Sequence, residues 1–200
     1  MARRSDHSRE ELLEMTLNAA QELAEQGGLR SVTARGVARK IGYTIGTIYN
    51  LFDDLDDLIV HLNARTLDLL YETLSSVKLG KGPEKDLLAL AREYMRFTGK
   101  QPRLWGLLFE HQLPEGRSLP DWYYQRIYRL YGLIEKALDP CFSPKQEKRR
   151  LHVARVLWSS IHGICSLATL DKLASTETQS KMVTTLVTNF LGGMQSAETN

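Results

Sequence analysis

Apolar residues recur along this chain at intervals of three and four, the spacing of one face of an α-helix. Leu12, Thr16, Ala19, Ala20 and Leu23 form the first stripe, ended by Gly27-Gly28. Ser8 followed by Glu11 has the form of a capping box, in which side chains satisfy orphan amides of a first helical turn. Thr33 can cap a short second helix through Val37, Ala38 and Ile41, closed by Gly42. A third short segment follows Thr44 and carries Ile48, Tyr49 and Phe52, with Phe52 read as core. Asp53 to Asp57 opens a longer fourth helix, with acids where the helix dipole favours them. Beyond Gly80-Lys81-Gly82-Pro83 the spacing stays helical. Leu87, Ala91, Tyr94, Met95 and Thr98 share one face, and Leu104, Trp105, Leu108 and Phe109 form a short helix after Pro102. Pro114 to Pro120 reads as a loop, and Tyr123, Ile127, Leu130, Tyr131, Ile134 and Leu138 as a further stripe. Two helices, roughly residues 145–173 and 178–192, close the chain. No segment alternates like a strand between hairpin turns, so the expected fold is all-α.

Composition narrows the class. With 25% charged and 42% hydrophobic residues among 200, the chain is an ordinary globular one, not disordered or fibrous. A net charge of +2 excludes a polycation, but the sum hides patterning. From Gly27 to Phe52 the charged residues are Arg30, Arg35, Arg39 and Lys40, a local +4 that leaves −2 for everything else. Such a patch suits phosphate, whose neutralisation releases condensed counterions. It also suits a merely solvated helix face. The two cysteines, Cys141 and Cys165, lie in no C-x-x-C pair, so no zinc or redox framework is signalled and a reducing cytoplasm is the simple reading. The polar start and the lack of a long apolar run predict no export signal and no membrane span.

The segment Thr33-Ala-Arg-Gly-Val-Ala-Arg-Lys-Ile-Gly-Tyr-Thr-Ile-Gly-Thr-Ile-Tyr-Asn-Leu-Phe52 resembles the helix-turn-helix of the tetracycline-repressor (TetR) family of bacterial transcription regulators. The resemblance is carried by Thr33, the Val37-Ala38 pair, the turn Gly42, and Tyr49 with Phe52. It implies a three-helix DNA-binding domain over residues 1–52, followed by a larger helical domain over 53–200 that binds an effector and dimerises. By the same resemblance Thr33 and Tyr49 contact phosphates, while Arg35, Thr44, Ile45 and Thr47 approach base edges. Asn50 belongs to the short polar set on that helix. Arg can pair with guanine bidentately, and an Ile can touch a thymine methyl. Tyr49 has a competing reading as a core aromatic. Family members commonly carry Lys at the position of Leu55, where this chain has Leu among Asp53, Asp54, Asp56 and Asp57. Those acids would repel nearby phosphate.

Aromatic residues gather in the second half, and Trp158, His162 and Gly163 are spaced like the Trp…His-Gly of one group of TetR-like C-terminal domains. The resemblance implies a ligand cavity there. Trp105, Phe109, Tyr131 and His162 are the effector-binding candidates, with an apolar or aromatic effector expected and His162 as a polar anchor or a satisfied core histidine. Ser159 and Gly163 are small enough for close helix approach, and Val183, Leu186, Val187 and Phe190 form an apolar stripe. By resemblance these make a homodimer interface, although a bundle within one chain would explain the same stripe. The five histidines are scattered and no nucleophile, metal or phosphate-loop motif occurs. No catalytic residue, metal or cofactor is therefore expected. The expectation is a cytoplasmic, homodimeric repressor released from palindromic double-stranded DNA by a small molecule. The alternative is a helical small-molecule-binding or interaction protein with a vestigial reading head, suggested by the acids at Asp53–Asp57.

Overall fold

The computed structural model describes residues 7–173 and 178–196, and side chains as far as residue 194. The described residues form helices joined by turns, without strands: α1 (Arg9–Gly27), α2 (Ala34–Ile41), α3 (Ile45–Tyr49), α4 (Leu55–Ser75), α5 (Pro83–Lys100), α6 (Pro102–Glu110), α7 (Asp121–Leu138), α8 (Glu147–Thr169) and α9 (Gln179–Ser196). The all-α expectation is met.

Local chemistry fixes many of the ends. Ser8 caps α1 reciprocally: its hydroxyl accepts from the Glu11 amide at 3.2 Å and its own amide donates to the Glu11 carboxylate at 2.6 Å. Gly28, at φ 70°, lets the chain leave α1 in a conformation that side chains resist. Pro102 occupies the first turn of α6, where its missing N–H would have been unpaired anyway.

The chain packs as two compact units, which are described separately. The first comprises the described residues up to Asp68 together with Gln101–Tyr124. Its core joins Ala20 and Ala24 of α1, Val37 of α2, Ile48 of α3, Phe52, Leu58 and Leu62 around the start of α4, and Leu104 and Leu107 of α6. Phe52 is 2% exposed, as its reading as core requires.

The second unit comprises Leu69–Lys100 and the described residues from Gln125 onward. Here α8 packs against both α5 and α9. Its interior is built from Leu87, Leu90 and Tyr94 of α5, Ile134 and Leu138 of α7, Leu157, Ile161 and Cys165 of α8, and Val183 and Val187 of α9.

Candidate nucleic-acid interface and effector cavity

Two short helices in the first unit meet at a turn that needs glycine. Gly42 has φ 75° and ψ 23°, the left-handed region that closes a helix. The Tyr43 amide reaches back to the Ala38 carbonyl at 2.9 Å, so the end of α2 keeps its hydrogen bonds while the chain reverses. Thr33 caps α2 by accepting from the Gly36 amide at 3.0 Å. Thr44 caps α3 by accepting from the Thr47 amide at 3.3 Å, and the two threonine hydroxyls lie 3.1 Å apart.

A helix as short as α3 is not stable alone. It is held by Ile48, which is fully buried, and by Phe52 just after it. The opposite side faces outward. Thr33, Arg35, Thr44, Tyr49 and Asn50 are exposed, and Ile45 and Thr47 are partly so. Tyr49 keeps 49% of its surface, so of its two sequence readings the core aromatic is not the one seen. All seven candidate DNA-binding residues therefore lie on or next to α2 and α3 with accessible surface.

The local +4 needs one amendment. Lys40 Nζ lies 2.7 Å from Glu22 Oε2 on α1, a pair within the unit. Glu22 precedes the acid-free stretch in sequence but joins it in space. Arg35 and Arg39 have no ion-pair partner among the described residues.

Three of the four aspartates around the start of α4 have partners for their carboxylates too. Asp54 Oδ1 accepts from the Asp57 amide at 2.8 Å, and Asp57 Oδ2 accepts from the Asp53 amide at 3.1 Å. The Asp57 amide and the Arg117 guanidinium hold the Asp54 carboxyl below the usual carboxylate range. Asp56 Oδ1 lies 2.9 Å from His111 Nε2, with the imidazole only 6% exposed. His61 Nδ1 sits 3.2 Å from Asp57 Oδ1. Leu55 is half-buried and packs on the apolar core, so its side chain has a structural use that a lysine would not share.

In the second unit a small apolar cavity of about 20 Å³ is lined by Leu74, Leu87, Tyr94, Leu133, Leu157 and Trp158 among others. That is room for about one water molecule. Tyr94 and Trp158 meet with ring centroids 4.6 Å apart. Tyr131 stands edge-on to Trp158 at 6.2 Å and His162 stacks beside it at 6.3 Å. The Tyr94 hydroxyl and His162 Nδ1 form a 2.9 Å hydrogen bond. Burial pushes the His162 imidazole below its ordinary range, which favours the neutral ring.

Of the four effector candidates, Tyr131 and His162 thus flank a cavity-lining tryptophan without lining the cavity themselves. Trp105 and Phe109 belong to the first unit, where their rings pack 5.4 Å apart. Nothing in the sequence marks Tyr94 as a site residue, because its pairing with His162 spans 68 positions that no local motif could bridge.

The dimer candidates also divide. Val183 and Val187 are 1% and 0% exposed within a single chain, so for these two the bundle within one chain is the arrangement seen. Leu186, Phe190 and Gly163 are half-buried and Ser159 is exposed. Val156 and Leu167 on α8 and Leu170 just after it are large apolar side chains left exposed.

Comparison with known proteins agrees with this geometry. Residues 17–62 match the family described as "Bacterial regulatory proteins, tetR family", and residues 87–190 match the "Tetracyclin repressor-like, C-terminal domain". The chain is 24% identical over 182 residues to the uncharacterized HTH-type transcriptional regulator YobS of Bacillus subtilis, covering 90% of this chain and 91% of that one. A protein with unknown function from Rhodococcus sp. RHA1 superposes with a TM-score of 0.74 at 19% identity, covering 96% and 98% of the two chains. A TetR transcriptional regulator from the same source gives 0.69 at 17% identity, covering 92% and 98%.

Proposed function

The chain belongs to the tetracycline-repressor (TetR) family of transcriptional regulators, and from that premise we propose that it is a homodimeric repressor, released from a palindromic operator by a small apolar or aromatic effector. The observation that carries the reading is the outward face of α2 and α3. There, capped helix starts, two arginines without acidic partners among the described residues and an exposed Tyr49 lie together.

In this reading residues 1–52 are the reading head. Arg35, Thr44, Ile45 and Thr47 meet base edges in the major groove, Thr33 and Tyr49 hold phosphates, and Asn50 completes the polar set. Two heads on a palindrome must stand about one helical turn, ~34 Å, apart, which requires a dimer. Ser159, Gly163, Leu186 and Phe190 supply its interface, with the exposed Leu167 of α8 and Leu170 at its end beside them.

The effector enters at the cavity under Trp158, with Tyr131 and His162 behind that ring. Sites for drug-sized ligands span ~300–1,000 Å³, whereas this cavity holds about 20 Å³. A ligand therefore fits only if α5, α7 or α8 moves, so binding and displacement are one event, and an effector selects the displaced state over the DNA-binding one. The lining favours a neutral, apolar molecule, since it offers no charged side chain. With DNA as the partner, the protein works in the cytoplasm. Of the acids that suggest a vestigial head, Asp54 and Asp56 lie against Arg117, and no other observation favours that alternative.

The test is binding to genomic fragments selected by the purified protein. Arg35→Ala and Tyr49→Ala should remove specific binding while leaving the thermal unfolding curve nearly in place. Specific binding retained by both variants would refute the assignment of the face.

A further inference from the structure

Between Gly27 and Asp57 four cations are followed by four aspartates, so in chain order the reading head and the start of α4 cancel. In space the balance changes, because the segment between α6 and α7 brings the Arg117 guanidinium and the His111 imidazole to the acids. Arg117 Nη1 bonds Asp54 Oδ2 and lies 3.9 Å from Asp56 Oδ2. His111 Nε2 meets the other Asp56 oxygen at 2.9 Å. Arg117 is placed by a tight turn: its amide donates to the Pro114 carbonyl at 3.1 Å, and Gly116 takes φ 81°. All of these residues belong to the first unit.

We propose that Arg117 and His111 are positioning residues for DNA binding, which mask Asp54 and Asp56 and so keep the field beside the reading head positive. The inference rests on the DNA-binding reading above. The aspartates follow α3 by only a few residues, and exposed charges are felt over ~8–10 Å at ordinary ionic strength. An unmasked carboxylate there opposes each phosphate that Thr33 and Tyr49 would hold. Masking also explains how the chain works with Leu55 at this position. The positive charge comes from Arg117, which is exposed, while Leu55 fills the core.

A purely structural staple between α4 and the α6–α7 segment would show the same contacts, so the test must separate charge from staple. The probe is a labelled mixed-sequence DNA duplex at low salt, titrated by fluorescence anisotropy with the full chain. Arg117→Gln should weaken binding by about three- to tenfold, with the deficit shrinking as salt rises. Arg117→Lys should stay near wild type. Asp54→Asn should bind more tightly than wild type, since Asn caps a helix as well as Asp. Combined with Arg117→Gln, it should restore wild-type affinity. His111→Gln should weaken binding in the same direction.

Unchanged affinity in Arg117→Gln, or failure of Asp54→Asn to restore it, overturns the proposal. Should Arg117→Gln fail to fold, Asp54→Asn alone decides, and unchanged affinity there counts against masking. A wild-type chain that binds no duplex sinks the DNA-binding reading itself. A wild-type chain that binds, with variants indistinguishable from it, sinks only this inference.

Discussion

Ile48 and Tyr49 are neighbours on α3 with opposite surroundings, which makes them a sharp pair of perturbations. Ile48 is 0% exposed within the first unit's core, and Tyr49 keeps 49% of its surface. Truncating Ile48 to Ala removes buried carbon and leaves a cavity, at a cost of about 2–5 kcal/mol. For a chain of this size that lowers the melting temperature by roughly 5–20 °C. Tyr49→Ala removes a side chain with about half its surface in solvent and no place in the core, so its cost should stay well below that of Ile48→Ala, at about 0.5–1 kcal/mol. Thermal unfolding followed by far-ultraviolet circular dichroism reads the first quantity, and anisotropy with a selected DNA fragment reads the second. Ile48→Ala should melt early, and below its transition should bind more weakly because α3 is poorly held. Tyr49→Ala should melt close to wild type and still lose binding. Equal destabilisation by the two variants would refute the assignment of the two faces of α3.

Two further expectations concern the second unit. Burial holds the His162 imidazole below its ordinary value of 6.5, so on acidification the unfolded chain takes its proton first. Its contribution is intact above that value and is lost as pH falls from there through the lower folded value. His162→Gln should flatten the loss of melting temperature in that window, and an unaltered slope would contradict the burial argument. Cys165 is fully buried and its thiol is pushed up to about 11, whereas Cys141 is only half-buried. Iodoacetamide at mildly alkaline pH should label Cys141 in the native protein and Cys165 only after unfolding, as read by peptide mass spectrometry. Native labelling of Cys165 at the rate of Cys141 would count against that packing.

What the sequence shows and what it hides differ by distance along the chain. The Thr33 and Thr44 caps, the Gly42 turn and the Ser8–Glu11 box each involve residues at most a few positions apart. Residue type and spacing therefore declare them, and the face built from them could be read directly. The ion pair of Asp54 with Arg117 spans 63 positions and the hydrogen bond of Tyr94 with His162 spans 68. No local pattern marks either, since an aspartate beside a helix start reads as a cap whether or not a guanidinium lies across from it. Lys40 is the same case on a smaller scale: Glu22 lies outside the acid-free stretch yet meets it in space. The stripe on α9 shows a further limit. Periodicity reports that Val183 and Val187 are covered without saying by what, and here the cover is the chain's own interior.

A chain of this kind is expected to read DNA as a symmetric pair of heads. The most direct measurement is selection of genomic fragments by the purified wild-type protein, with the stoichiometry of the recovered complex taken by light scattering. The expected result is fragments sharing an inverted repeat with half-sites one helical turn (~34 Å) apart, bound by two chains, with affinity falling steeply as salt rises. Recovery of no sequence above background, or binding by single chains without an inverted repeat, would contradict it.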